Sequence, residues 1–483
     1  MNVRVSIRKS INWRPRVHTA LVLCATSVIS LAAQTLTTLH SFSGADGETA
    51  SQLVQGLDGN LDGTTYKGGA NGYGTIFKIT TAGALTTLYS FCSQSGCTDG
   101  ENPAAALVQA LDGDFYGTAS AGGAGSHGTV FKVTPSGVLT TLYSFCAQGP
   151  PCTDGSTPYS ALVRTTNGDL YGTTYEDTVF KITTGGALTT LYTFCSQIQC
   201  TDGAYPYAGL VQGTNGDFYG TTYGGGIIVC YQGCGTIFSI TQSGTLATLY
   251  DFCPGEQSCP DGENPSAGLV QATNGDFYGA SYWGGSNQNG TIFEITAGGA
   301  ESTLHTFCSQ GCADGSHPSG LSLADGNLYG TTLFSGAHDG GTIFSISEFG
   351  SLTTLYNFCS QSACADGKNP EVPPIQATDG TFYGTTNAGG ASGYGTVYSL
   401  SLGLGPFVST LPGFGKVAEG VEILGTDLTG ATIVSFNGTA AAFKVVSSTE
   451  IRTTVPAGAT TGKVQVVTPT GRLSSSVDFI VLP

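Results

Sequence analysis

Fourteen of the fifteen cysteines stand in seven close pairs: Cys92/Cys97, Cys146/Cys152, Cys195/Cys200, Cys230/Cys234, Cys253/Cys259, Cys308/Cys312 and Cys359/Cys364. Thiols so placed have two chemistries open to them, metal ligation and disulfide formation. A zinc site wants C-x2-C pairs gathered in fours, with histidine help. Here three to five residues lie inside each pair, and the pairs recur along the chain. Disulfides are the expected outcome, and short-range disulfides mark an exported chain. Each small loop closed contributes roughly 2 kcal/mol by the chain-entropy argument.

Carboxylates recur too. Asp46, Asp99, Asp154, Asp202, Asp261, Asp314 and Asp366 are each followed by Gly. A calcium loop gathers several oxygen ligands at alternating positions, whereas one Asp stands alone in each of these phrases. The expectation is a turn in which the carboxylate accepts backbone N–H groups. No metal and no cofactor is predicted, although calcium is compatible with such groups.

For catalysis the chain offers little. His18, His40, His127, His305, His317 and His338 lack metal spacing, and there is no H-E-x-x-H or G-x-S-x-G. His40 and His305 take a tyrosine's place in a repeated phrase, which points to packing. Glu176, Asp177, Glu256 and Glu263 are the carboxylates from which a glycosidase pair would be assembled, but that mechanism depends on a separation the sequence does not give. The features that do not repeat weigh more: "YEDT" with Glu176 and Asp177, "YGGGIIVCYQGCG" with Tyr231, and "YWGGSNQNG" with Trp283. Trp283, Tyr231, Glu176 and Asp177 are therefore the candidate ligand-binding residues.

The elements that must position them come from a repeat. A GT[IV]F-like phrase begins at Gly74, Gly128, Asp177, Gly235, Gly290, Gly341 and Gly395, at intervals of 54, 49, 58, 55, 51 and 54 residues. Seven copies with a period near 50 residues mark a repeat architecture, in which neighbouring units cover one another's apolar faces. Within a copy, Asn-Gly or Asp-Gly separates the first two β-rich segments, from Asp58-Gly59 to Asp379-Gly380, and predicts a type I′ hairpin. Four antiparallel strands per copy make a propeller blade. The array opens with an orphan fourth strand, Leu36 to Phe42, and ends at Ser401 without one. The predicted fold is all-β: a seven-bladed propeller whose N-terminal strand completes the last blade and removes an exposed edge. Strand alternation places the tight turns on one face and the cysteine pairs and irregular loops on the other. The irregular face is the expected binding surface. The recurrent Tyr-Gly phrase, Tyr116, Tyr171, Tyr219, Tyr278, Tyr329 and Tyr383, is read as inter-blade packing beside a glycine.

Residues 1–33 read as a signal peptide: Arg4, Arg8, Lys9, Arg14 and Arg16 precede an apolar run, Ala20 to Ala32, too short to span a bilayer. Cleavage there changes Lys+Arg from 16 to 11 (16 − 5) against 33 Asp+Glu, for a net charge near −22 (11 − 33). Such a chain repels nucleic acid and anionic membranes. The expectation is a secreted, periplasmic or cell-surface monomer with no membrane span after cleavage.

From about residue 403 the phrasing changes to short alternating segments without cysteine, which suggests a β-sandwich. The segments "VEILGTDL", "VSFNGTAA", "SSTEIRTTVPAGATTGKVQVVTPTG" and "FIVL" resemble the IPT/TIG family of immunoglobulin-like domains, which implies a binding or spacer module outside the cell. The GT[IV]F-x-[IV]T and DG-x-[FL]-YGTT phrases resemble the Gloeo/Verruco (GloVer) tandem repeat of exported bacterial proteins. That resemblance implies secretion and domain type and no chemistry. The expected layout is a signal peptide at 1–33, a propeller at 34–402 and an IPT/TIG domain at 403–483. The expected role is non-catalytic binding or adhesion to a glycan or an extracellular protein. The alternatives are a carbohydrate-active hydrolase or lyase and a structural envelope component.

Overall fold

The computed structural model describes residues 34–226, 230, 233–255, 258–309 and 311–482. The predicted leader, Tyr231 and Glu256 lie outside the described residues. Seven antiparallel units, six of four strands and the first of five, follow one another as blades. The second is representative, with strands Val108–Gln109, Phe115–Ala119, Thr129–Val133 and Leu139–Ser144 in that spatial order. The protein is a seven-bladed β-propeller.

The ring is closed by the chain's first strand. Thr35–Ser41 pairs antiparallel with Thr396–Ser401, in register from Thr35 opposite Ser401 to Ser41 opposite Thr396. The last blade's free edge is thereby covered, which removes a template for pairing with other chains. The closure also buries Phe42 completely, in a core shared by the seventh and first blades with Leu61, Phe77, Tyr383 and Val397. Each of the other six blade junctions has its own core of the same kind, one example joining Tyr171, Phe194, Phe218 and Phe238.

Two repeated phrases make these cores by fitting together. Gly117 lies opposite Phe131 across the sheet, and a Cβ on Gly117 would meet the Phe131 ring at 2.7 Å. Only glycine leaves room for that ring. The preceding tyrosines are buried and packed outward on the next blade, as expected: Tyr171 stacks on Phe218 at 4.2 Å and Tyr219 on Phe277 at 4.0 Å. Offset stacking of this kind contributes about 1 kcal/mol per pair beyond area burial.

The turn prediction needs correction in six of the seven blades. Only Asp325-Gly326 has positive φ at both central positions, 47° and 72°. There Ala324 pairs directly with Asn327, as a two-residue type I′ hairpin requires. The other copies have one more residue before the Asx-Gly pair, so the glycine alone takes positive φ (Gly113 at 87°). Its N–H bonds back to Ala110, while the Asp112 carboxylate caps the N–H of Asp114 at 3.1 Å. This is a longer turn with a glycine bulge. The first strands are also shorter than expected, only Val108–Gln109 in the second blade. The residues before them are tied both to their own blade, where Ser160 Oγ donates to the Thr173 carbonyl at 3.2 Å, and to the neighbouring one, where Thr118 Oγ1 donates to the Ser160 carbonyl at 3.0 Å.

The C-terminal sandwich is immunoglobulin-like. One sheet orders Ser409–Leu411, Gly420–Leu424, Glu450–Thr454 and Phe443–Val445, and the other orders Thr439–Ala440, Ile433–Phe436, Val464–Thr468 and Gly471–Ser474. Val421, Ile423, Val434, Phe436, Ile451, Val464 and Phe479 fill the space between. The sandwich meets the tight-turn face of the propeller. Thr449 Oγ1 donates to the Leu57 carbonyl at 2.8 Å, and the Phe407 N–H donates to the Thr378 carbonyl at 3.0 Å.

Candidate functional site at the axial mouth

A threonine on the second strand of a blade reaches across the hub to the next blade. Thr118 Oγ1 donates to the Ser160 carbonyl at 3.0 Å, Thr173 to Ala208 at 3.0 Å, Thr221 to Ala267 at 3.2 Å and Thr331 to Val372 at 3.2 Å. Each clamp fixes the residue that follows the proline of a DGxxP phrase at an equivalent place around the axis. Those residues are Tyr159, Tyr207, Ser266 and Glu371. A second ring comes from the residue just past the Thr-Thr end of each second strand: Tyr66, Tyr175, Tyr223, Tyr282 and Asn387 among them. Both rings lie on the irregular loop face.

The tyrosines meet over the hub. Tyr66 of the first blade and Tyr159 of the third approach hydroxyl to hydroxyl at 3.3 Å, although the second blade lies between their blades. Ala104 and Ser120, small residues, stand in the equivalent places of that blade. Tyr159 stacks on Tyr207 at 5.4 Å, Tyr175 stacks on Tyr205 at 5.2 Å, and Tyr175 meets Tyr207 edge-on at 6.2 Å. A second group lies beside them: Tyr282 against Trp283 at 5.2 Å, and His317 within 4.7 Å of Tyr282 and 4.4 Å of Trp283. Tyr207 and Trp283 each keep 38 % of their surface exposed, so ring faces remain available.

The electrostatics are simple. Burial first, then the Glu371 carboxylate and the neighbouring tyrosines, push the Tyr207 hydroxyl up to about 12. Burial, Glu371 and Tyr223 likewise raise Tyr282. These hydroxyls are neutral donors at any physiological pH. Glu371 therefore sits close enough to both rings to oppose their ionisation, and it accepts a hydrogen bond from Asn387 Nδ2. His317 is buried, its imidazole held below its ordinary value by burial, and neither ring nitrogen has a hydrogen-bond partner. It occupies the slot where Asn102 and Asn264 clamp the previous blade, donating to the carbonyls of Tyr66 and Tyr223.

Of the residues singled out from sequence, Trp283 lies at this mouth. Glu176 is exposed beside Tyr175. Asp177 is a structural residue: it takes φ 66° where the other copies have glycine, and its Oδ1 accepts the Tyr205 N–H at 2.6 Å. Burial raises its proton affinity. The Glu263 backbone pairs with Trp283 through two hydrogen bonds, while its side chain turns to Cys230, Oε2 lying 3.0 Å from Sγ. The repeated Asp residues serve as turn acceptors, Asp99 taking hydrogen bonds from Tyr89 Oη and the Ser93 N–H at 2.8 and 2.9 Å. His305 stands in for that tyrosine and reaches Asp314 at 3.0 Å. A cleft of about 460 Å³ lined by Gln197, Thr201, Thr248 and Tyr250 lies among outer-strand residues, and none of the aromatic residues described above lines it.

All seven cysteine pairs form disulfides: Cys92 with Cys97, Cys146 with Cys152, Cys195 with Cys200, Cys230 with Cys234, Cys253 with Cys259, Cys308 with Cys312 and Cys359 with Cys364. Cys230, Cys234, Cys253 and Cys259 bring four sulfurs within 4.8 Å of one another, but as two disulfides they offer no thiolate to a metal. The second cysteine of a pair does more than close the loop. Cys200, Cys312 and Cys364 adopt left-handed backbone, with φ of 54°, 61° and 52°, and each carbonyl collects two N–H groups. Cys200 accepts from Gly203 and Gly226, both at 2.9 Å; Cys312 from Gly315 at 3.1 Å and Gly336 at 2.9 Å; Cys364 from Gly367 and Gly390, both at 2.9 Å. One donor closes the Asp-Gly turn and the other comes from the glycine loop that precedes the third strand. These cysteines, together with Cys97 and Cys259, whose carbonyls also take two N–H groups each, pin two loops together.

The tyrosines and Glu371 were not singled out from sequence. The available signal was that the residue after the DGxxP proline changes from copy to copy while its surroundings do not.

The Gloeobacter/Verrucomicrobia repeat matches residues 25–231 and 229–441, which is most of the chain. The chain belongs to that repeat family. An IPT/TIG domain matches residues 409–481 of this Gloeobacter/Verrucomicrobia repeat protein. No curated protein matches its sequence. Among solved structures it is similar to the WD40 β-propeller domain of Doa1, at 12 % identity and a TM-score of 0.47, over 75 % of this chain and 96 % of that one. It is also similar to a putative 6-phosphogluconolactonase from Bacteroides uniformis ATCC 8492, at 15 % identity and a TM-score of 0.42, over 73 % and 99 % of the two chains. Likenesses this distant say nothing about its chemistry.

Proposed function

We propose that this repeat protein is an exported, non-catalytic binding protein of the bacterial surface or periplasm, and that it holds a glycan at the axial mouth of the loop face. In this reading residues 1–33 are a leader, 34–402 the propeller and 403–483 a spacer or second binding module. The repeat and the IPT/TIG domain fit a surface-associated protein. The disulfides fit an oxidising compartment. Among the described residues no helix is long and apolar enough to cross a membrane.

The observation that carries the binding reading is the group of tyrosine rings gathered from separate blades, with Tyr207 and Trp283 partly exposed. Sugars present flat C–H faces and hydroxyl edges, and a wall of neutral phenols offers stacking surface and donors to both. Aromatic faces with a few convergent polar groups are the ordinary makeup of a small-ligand site. The sandwich meets the opposite, tight-turn face, where Thr449 bonds Leu57, so a ligand on the loop face does not compete with it.

A glycan array probed with the full chain, followed by calorimetry on the best oligosaccharide, tests the reading. Tyr207→Ala removes one stacking face and should weaken binding about tenfold, for a loss of about 1.4 kcal/mol. Unchanged affinity in that variant refutes the site, and release of shortened sugars refutes the non-catalytic assignment.

A further inference from the structure

We infer that the glycan held at the axial mouth carries protonated amino groups, as an oligomer of glucosamine does. The inference rests on the glycan reading above and goes further by fixing the ligand's charge. Three observations carry it. The first is the ring of equivalent positions set by the threonine clamps. Around it stand Tyr159, Tyr207 and Glu371, so one carboxylate shares a rim with aromatic faces. A cation over an aromatic face and beside a carboxylate is favoured twice, by the ring quadrupole and by direct charge attraction. The second is Lys67, whose ammonium lies 6.0 Å from the centroid of the Tyr66 ring. One mouth tyrosine thus already has a cation near its face.

The third observation is the segregation of charge. Lys78, Lys132 and Lys181 pair with Asp58, Asp114 and Asp169, all on the tight-turn face, and leave the loop face with few cations. Lys67 and Lys368 are the lysines at the loop ends of the blades, against Glu48, Glu101, Glu176, Asp177, Glu263 and Glu371. With an overall charge of −17, the surface around the mouth attracts polycations and repels uronic or sulfated sugars. A neutral glycan draws on the stacking faces alone. An amino glycan uses the carboxylate and the surrounding field as well.

The test compares tetraglucosamine, its fully N-acetylated counterpart and cellotetraose by calorimetry on the full chain, at low and at moderate salt. The amino oligomer should bind about tenfold tighter than the N-acetylated one, with the advantage shrinking as salt rises. Glu371→Gln, an exposed and nearly isosteric change, should cut that preference to about twofold. Ser266→Glu places a second carboxylate at an equivalent clamped position and should raise it. Equal binding of the amino and N-acetylated oligomers, both weakened by Tyr207→Ala, overturns the charge inference and leaves the glycan site standing. If none of the three oligomers binds, both are overturned.

Discussion

Asp62 is buried where the other copies carry tyrosine, and neither of its carboxylate oxygens has a hydrogen-bond partner. Burial pushes its pKa from 3.8 to about 7, with Lys78 pulling it down and Asp58 pushing it up. An acid whose folded-state value is raised favours folding in its protonated form, so its contribution turns unfavourable as pH climbs above the unfolded value. The loss grows from about pH 4 to about pH 7 and is level beyond. A shift of about three units corresponds to about 4 kcal/mol at the plateau. Asp62→Asn keeps the shape and abolishes the ionisation, but it leaves an amide buried without a partner, at a cost of about 1–3 kcal/mol. The variant should therefore be about 1–3 kcal/mol more stable than wild type at pH 8 and about 1–3 kcal/mol less stable at pH 4, a swing of about 4 kcal/mol. Native-state hydrogen exchange of the Leu61–Lys67 amides at both pH values, beside the thermal midpoint, reads the difference. A stabilisation of the same size at both pH values would refute the reasoning, because it would place the effect in packing rather than in charge.

Three further predictions concern the frame. Phe42→Ala empties the core that the closing strand shares with Phe77 and should cost about 3–5 kcal/mol; deletion of residues 35–41 should bare the Thr396–Ser401 edge and raise the mass on size-exclusion chromatography with light scattering above that of the intact chain. Asp202 is held below its ordinary value: burial opposes this, but hydrogen bonds from Tyr192 and Ser196 outweigh it. That stabilisation is present above the unfolded carboxylate value and lost as pH falls through the lowered one, so Asp202→Asn should lower the thermal midpoint at pH 7, and the gap to wild type should narrow as the pH is taken below the unfolded carboxylate value.

Much of the frame was legible because the same physical demand is repeated. The glycine of Tyr-Gly and the phenylalanine of GT[IV]F meet in the register Gly117 to Phe131, and the Asp of each Asp-Gly phrase recurs because a tyrosine or histidine on the fourth strand needs its acceptor. Ring closure was legible as a missing fourth strand at one end and an orphan at the other. The turn type was not, because the one extra residue that separates "ALDGD" from "ADGN" changes which residue must take positive φ without changing the dipeptide. The charge of Asp177 was visible in the sequence, whereas its positive φ and its acceptance of the Tyr205 N–H were not. The anchoring carbonyls of Cys200, Cys312 and Cys364 were hidden for the same reason, since a sequence displays the thiol and says nothing of where the peptide group behind it points.

Apart from Trp283, the residues of the mouth escaped the sequence reading for a reason that also says where binding is to be sought. In most copies the threonine hydroxyl is engaged by a neighbouring carbonyl, the phenylalanine by a glycine, and the Asp by a turn, the fifth copy having Ala280 for the threonine and the seventh Tyr398 for the phenylalanine, so most repeated polar and aromatic groups are already satisfied within the protein. A search for chemistry among repeated residues therefore finds packing. The side chains left over are those at clamped positions whose neighbours ask nothing of them, and there the copies differ freely: Ala104, Tyr159, Tyr207, Ser266, Ser319 and Glu371 occupy one slot. Such a slot tolerates any residue as far as the fold is concerned. A run of aromatic rings in it, continued by Tyr66, Tyr175, Tyr223 and Tyr282 in the adjacent ring, is then not required by folding. Partly exposed apolar surface carries a solvation cost of about 25 cal/mol per Å² that only a bound partner relieves.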